Sequence, residues 1–285
     1  MSGRDLPGRW KRFGMRFVTL WADRCLIRRG TRTHVRRLIV TLLAGLLSLV
    51  VAVSPVGAAA QSGNFEIALN GQAVGTASFQ FAATKDGFDS TSLVKVAMQG
   101  LDYALSKDEG LTAAHQLNHV MLSATVNGEA VSVVAAPDAA QFLLNISANG
   151  KSSTTRLDTH AGAVFLADFD AGALETLLAL AVTQNNRDLW AILPKGAGSI
   201  EPVQLATYPD QEGTLDGKPV TVHHLVATIA GANTELFSGP ENQLLQAELL
   251  QVGFALIRKG FVLSPTAKPI VPIGDDEAIP PAPAN

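Results

Sequence analysis

From residue 64 onward, apolar and polar residues alternate along much of the chain. Ala77, Phe79, Phe81 and Ala83 are apolar, with Ser78 and Gln80 between them. Val94, Val96 and Met98 alternate with Lys95, and Val120, Leu122, Ala124 and Val126 with His119, Ser123 and Thr125. Val131, Val133 and Ala135 continue the pattern. A period of two puts one set of side chains on a buried face and the other in water, which predicts half-buried strands. Turn pairs punctuate these runs: Asn70-Gly71, Asp86-Gly87, Gln99-Gly100, Asn127-Gly128, Asn149-Gly150 and Asp216-Gly217. Asn-Gly and Asp-Gly supply the positive φ angles of a tight hairpin turn. Successive strands are therefore expected side by side. After an irregular stretch at 185–198, further strands are expected at 203–208, 220–229, 234–237, 244–249 and 254–263.

One segment breaks the alternation. Residues 170–182 read DAGALETLLALAV, with good helix formers and only Glu175 and Thr176 polar after Asp170. Asp168 or Asp170 is placed to cap the first amides, and Glu175 to complement the helix dipole. A helix apolar on nearly all sides must be enclosed. The expected fold is therefore mainly β: an antiparallel meander forming an open or incomplete β-barrel wrapped around one central α-helix. A single domain over 61–263 holds it. From 264 to 285 the chain is rich in proline and acid, which predicts a disordered tail.

Charge divides the chain in two. Residues 1–60 carry 11 Lys/Arg against 2 acids, a charge of +9, and the remainder carries −12. The basic segment ends in Arg36-Arg37 and runs into an uncharged apolar stretch at 38–53, then Pro55, Gly57 and Ala58-Ala59-Ala60. That order reads as a signal peptide with a long basic n-region, cut before Gln61. The apolar run is shorter than the roughly 20 residues a membrane span needs. The expected product is periplasmic or secreted, with no permanent membrane span. Its one cysteine, Cys25, precedes the apolar stretch, so residues 61–285 have none. The acidic body argues against nucleic acid as a partner.

Catalytic and cofactor motifs are missing from the sequence: there is no G-x-S-x-G, P-loop, G-x-G-x-x-G after a strand or C-x-x-C. No cofactor is expected. His115 and His119, four residues apart, are weak metal candidates, with His223 or His224 as a third ligand. Asp168, Asp170, Gly172 and Glu175 resemble a calcium loop only faintly, and its twelfth position would be Ala179. Phe165, Phe169, Leu174, Leu177, Leu178 and Trp190 form the most suggestive apolar set, read as core or as the wall of an apolar cavity.

A curved sheet around a helix resembles the lipoprotein-localisation family of periplasmic half-barrel carriers (LolA/LolB-like) and related exported β proteins. The residues that carry this are the early hairpin Asn70-Gly71-Gln72-Ala73-Val74-Gly75, the helix at 170–182 and the late hairpin Asp216-Gly217-Lys218-Pro219-Val220. The resemblance implies transport, with lipid or an acyl chain held in the half-barrel beneath the helix. It also implies an arginine that holds the lid. Arg156, Arg187 and Arg258 are the arginines of residues 61–285, and none lies in a matching motif. Two other readings stand beside it: an envelope interaction or structural module using a sheet edge, and a hydrolase with a carboxylate pair.

Overall fold

The computed structural model describes residues 61–183 and 188–265. The expected leader and the tail from residue 266 lie outside these described residues. The elements are β1 (Ser62–Leu69), β2 (Gln72–Ala83), β3 (Gly87–Met98), β4 (Leu101–Thr112), β5 (Leu117–Val126), β6 (Glu129–Asp138), β7 (Gln141–Ala148) and β8 (Lys151–Asp158). Then follow β9 (Ala163–Phe165), α1 (Ala171–Thr183), β10 (Leu189–Leu193), β11 (Ser199–Leu215), β12 (Lys218–Ile229), β13 (Ala232–Ser238), β14 (Leu244–Leu249), β15 (Phe254–Arg258) and β16 (Phe261–Leu263). No helix of the described residues is long and apolar enough to cross a membrane.

The hairpin turns form where the sequence places them. Asn70-Gly71, Asn127-Gly128, Asn149-Gly150 and Asp216-Gly217 each have positive φ at both residues, between 49° and 85°. In the row of strands, β8 to β1 run in reverse chain order, β1 then pairs with β15, and β14 to β9 continue the row; β16 pairs with β11. Among the described residues every ladder is antiparallel except β9 with β10, which is parallel. A parallel pair needs a long crossover, and α1 provides it. The chain therefore forms two meanders joined at β1 and β15, around one crossover helix.

The ends of this row are β8 and β9, which are consecutive in the chain. Only residues 159–162 link them, so Asp158 and Ala163 lie within about 18 Å. The sheet must curl back on itself to allow this. It does not close into a barrel. Thr155 on β8 instead donates through its hydroxyl to the Ala197 carbonyl at 2.6 Å.

A curled sheet this wide leaves room that strand side chains alone do not fill. Helix α1 occupies it, packing on β1, β2, β3, β9, β10 and β14. Ala173, Leu177, Leu178 and Leu180 are buried against Phe65, Phe79, Val94, Leu105 and Leu144 in one continuous core. A second, smaller cluster of Val222, Phe237, Leu245 and Phe261 joins β12, β13, β14 and β16. Leu244 to Ala247 of β14 are all buried, because that strand is covered on both faces.

Two expectations need correction. The stretch at 185–198 contains β10, whose Leu-Trp-Ala-Ile-Leu has no period of two. It lies in the interior beside the equally unpatterned β9, and a parallel pair covered on both faces reads as a continuous apolar run. The strand expected at 254–263 is broken at Lys259-Gly260, where Gly260 has φ 84°. That turn sends β16 to β11.

The turn at Ala230-Gly231 has φ angles of 49° and 79°, matching the Asn-Gly turns, but with alanine in the left-handed position. Ala230→Asn should raise stability by about 0.5–1 kcal/mol. Urea unfolding checks this, and an unchanged midpoint would mean the turn carries no strain.

Candidate functional site

Strand β4 presents Tyr103, Leu105, Lys107, Glu109 and Leu111 to the interior. Two charges thus stand at inward positions of an otherwise apolar row. Lys107 is fully buried and Glu109 nearly so. Lys107 Nζ lies 2.7 Å from Glu109 Oε2 and 2.7 Å from Asp170 Oδ2. Asp170 immediately precedes α1, and its Oδ1 accepts the N–H groups of Gly172 and Ala173 at 3.0 and 3.1 Å. One carboxylate therefore caps the helix and joins it to the sheet. Burial alone would push the Lys107 ammonium down, but Asp170 and then Glu109 outweigh it and hold its pKa above the usual lysine value. Burial pushes the Glu109 carboxyl up, against the pull of Lys107. Burial, with Asp168 and Asp170 nearby, also raises the Tyr103 phenol.

Ser90 and Ser92 of β3 face Glu109 and Lys107 across the ladder. Both hydroxyls are buried and have no hydrogen-bond partner among the described residues. A Cβ on Gly172 would lie 2.5 Å from Ser92 Oγ, so α1 sits directly on this polar patch.

Further along the helix, Glu175 is buried. It does not serve the helix dipole as expected, since it lies past the first turn. Its Oε2 accepts the Leu244 N–H at 2.7 Å, and its Oε1 accepts the Gln61 side-chain amide. Arg258 Nε donates to the Leu244 carbonyl at 2.7 Å, Nη1 donates to the Ser62 carbonyl at 3.2 Å, and the guanidinium lies over the Phe65 ring. Burial pushes the Glu175 carboxyl up to about 7, although Leu244, Arg258 and Gln61 all favour its ionised form. A cleft of about 230 Å³ opens beside it, lined by Gln61, Phe81, Phe88, His115, Glu175 and Thr176 among others. Burial lowers the His115 pKa.

The six apolar residues named from sequence gather in or against the main core. Phe165, Leu174, Leu177 and Leu178 are buried, while Phe169 and Trp190 are partly exposed and pack on that core. Phe169 has φ 58° and sits edge-on to both Tyr103 and Phe254. Trp190 stacks on His160 at 3.7 Å, and its Nε1 donates to Asp188. Asp168 pairs with Lys195 at the surface, leaving the cap to Asp170.

The histidines are dispersed in role. His115 has φ 57° and stacks on Phe88, while the His119 ring covers Gly110. His223 pairs with Asp210 outside, and His224 is buried between Tyr208 and Phe237. Among the described residues no three His, Cys, Asp or Glu side chains are placed to hold a metal ion.

On the sheet face away from α1 lies an open trough of about 830 Å³. Ser78, Leu93, Ser106, Ser123, Ser132 and Ser147 cross it as one row of directly opposed residues.

Sequence reasoning passed over Lys107 and Glu109 because charged residues are ordinarily solvated. Parity was the available signal: Leu105 and Leu111 place Lys107 and Glu109, but not Asp108, on the inner face.

Lys107→Met should cost about 3–5 kcal/mol by stranding two buried carboxyls. Adding Glu109→Leu and Asp170→Ser, which keeps a capping oxygen, should recover most of that loss. Denaturant unfolding of the single and triple variants reads both effects. Glu175 gives a pH signature. Its folded pKa is raised, so in an uncut chain its stabilising contribution is full below about pH 4.5 and is lost as pH rises through about 7. Glu175→Gln should flatten that decline in unfolding measurements between pH 5 and 8.5.

No family model, curated protein or solved structure matches this chain.

Proposed function

We propose that this is an exported carrier, cut before Gln61, that holds an apolar ligand such as a lipid acyl chain in the curled sheet where α1 lies. Helix α1 would be its displaceable lid. The observation that supports this reading is how α1 is seated. Its apolar sides rest in an apolar trough, while Asp170 and Glu175 fasten it to β4 and β14.

Ionic and hydrogen-bonded fastenings can be exchanged for water as the helix leaves, whereas apolar surface needs an apolar replacement. An acyl chain offers one. Each methylene it buries contributes about 0.8 kcal/mol, with no special polar contact required. At about 20 Å long, α1 would vacate a strip suited to an extended chain. Phe165, Leu174, Leu177 and Leu178 are the residues whose packing would be exchanged, with Phe169 and Trp190 at the margin. This is the role that the resemblance to half-barrel carriers implies.

A second reading is favoured by the completeness of the core: Leu177, Leu178 and Leu180 are each no more than 3% exposed. A permanently filled interior suits an envelope interaction module, working through the edge of β8 or the outer trough.

Locking the lid separates the two. With no cysteine after Cys25, Gly172→Cys combined with Ser92→Cys can link α1 to β3, since the Gly172 Cβ position lies 2.5 Å from Ser92 Oγ. The reduced variant should take up a fluorescent fatty acid as the parent does, and the oxidised one should lose at least tenfold in affinity. Equal uptake in both states would sink the lid. Native mass spectrometry of the exported protein, followed by lipid extraction, identifies any cargo directly.

A further inference from the structure

Gln61 joins two observations. It is the residue expected to begin the chain once the leader is cut. It is also fixed in the fold: its carbonyl accepts the Phe81 N–H at 2.8 Å, and its side-chain amide donates to Glu175. The α-nitrogen of the same residue lies at most about 6 Å from that amide nitrogen. In the uncut chain this α-nitrogen is a neutral peptide group. Cutting turns it into an amine with an ordinary pKa of about 7.7–8.0, largely protonated at neutral pH.

We propose that the cleft beside Glu175 is a binding site for a primary ammonium, and that its occupant is the chain's own N-terminus, formed when the leader is cut before Gln61. The inference rests on the export reading for the cut itself. The site rests on geometry. Glu175 is a buried carboxyl on α1; the Arg258 guanidinium favours its ionised form through space, but no ion pair or hydrogen bond joins the two side chains among the described residues. Arg258, from β15, commits Nε and Nη1 to the carbonyls of Leu244 and Ser62. His115, from the β4–β5 turn, is shifted by burial toward its neutral form. Thr176 commits its hydroxyl to the Gly172 carbonyl. Phe81 and Phe88 complete an apolar wall that keeps the local dielectric low. Lys107 is occupied by Asp170 and Glu109.

A new ammonium within about 6 Å of the Gln61 amide nitrogen that contacts Glu175 would stabilise the carboxylate, and the carboxylate would stabilise the ammonium. The pair would add an ionic tie between the start of β1 and the buried helix, beside the existing Gln61 amide contact, only after processing. The uncut chain, lacking that tie, would be less stably folded, which suits a polypeptide that must first cross a membrane. The signs follow from linkage. Pairing lowers the Glu175 pKa and raises that of the amine. The gain is therefore present between about pH 5 and 8 and disappears as pH rises through the raised amine pKa.

The test uses protein exported from the full-length chain. It is compared with a full-length variant carrying three alanines inserted between Ala60 and Gln61. Cleavage after Ala60 then leaves the amine as much as about 10 Å further along the chain. N-terminal mass analysis establishes both termini and excludes the form that has lost ammonia by cyclisation of Gln61, which has no amine. At pH 7 the parent should show a folding constant at least tenfold larger than the insertion variant. The difference should vanish above about pH 10 and in Glu175→Gln versions of both. Titration of the parent's α-amine should give a pKa about one unit above its ordinary value. Identical pH profiles, or a difference that survives Glu175→Gln, would overturn the site. A natural N-terminus other than Gln61 would overturn the proposal through the cleavage reading instead.

Discussion

A row of fifteen strands curled on itself encloses more volume than its own inward side chains can fill. Helix α1 fills that volume, and much of the remaining architecture follows from the need to place it there. It must be apolar on nearly every side, since every side meets the interior. It must enter by a crossover, so the strands flanking it, β9 and β10, form a parallel pair. Its free N-terminal amides must find acceptors away from water. Asp170 supplies the acceptor, and Lys107 supplies the counter-charge that a buried carboxylate requires.

The polar groups around α1 are therefore linked. Asp170 brings a charge into the core, Lys107 answers it, and Glu109 adds a second carboxyl on the other side of the ammonium. At the next turn, Glu175 reaches the Leu244 backbone, and Arg258 meets the same residue from β15. These contacts span α1, β4, β14, β15 and the start of β1. They hold the two meanders to the helix at positions where apolar packing has no directional preference. A buried ion pair adds little net stability compared with apolar residues of the same shape. A helix seated this way has a defined register, and it also has attachments that water or another charge can replace.

Much of the fold was legible in the sequence. The Asn-Gly and Asp-Gly turns declared themselves through the positive φ their geometry needs, and the strands between them through parity. The helix was visible as a long run of helix formers without a period of two. Strands β9 and β10 were not legible, because residues covered on both faces lose the alternation that marks a strand. The candidate site was harder to see. The burial of Phe165, Leu174, Leu177 and Leu178 was legible because runs of apolar residues are conspicuous in sequence. Lys107 and Glu109 were missed because charged residues are ordinarily solvated, and only their parity within β4 marked them as inward.

By itself, the sequence determined the local conformations: which turns carry left-handed residues, which face of each strand is apolar, and which segment is a helix that water cannot surround. Those properties depend on neighbours a few residues apart. The tertiary structure decided the pairing of β1 with β15, the return of β9 toward β8, the partner of Lys107 and the burial of Glu175. Each joins residues far apart in the chain. Many registers and partners satisfy the same local pattern, and the choice among them is made when the volume inside the curled sheet must be filled and every buried charge must be matched.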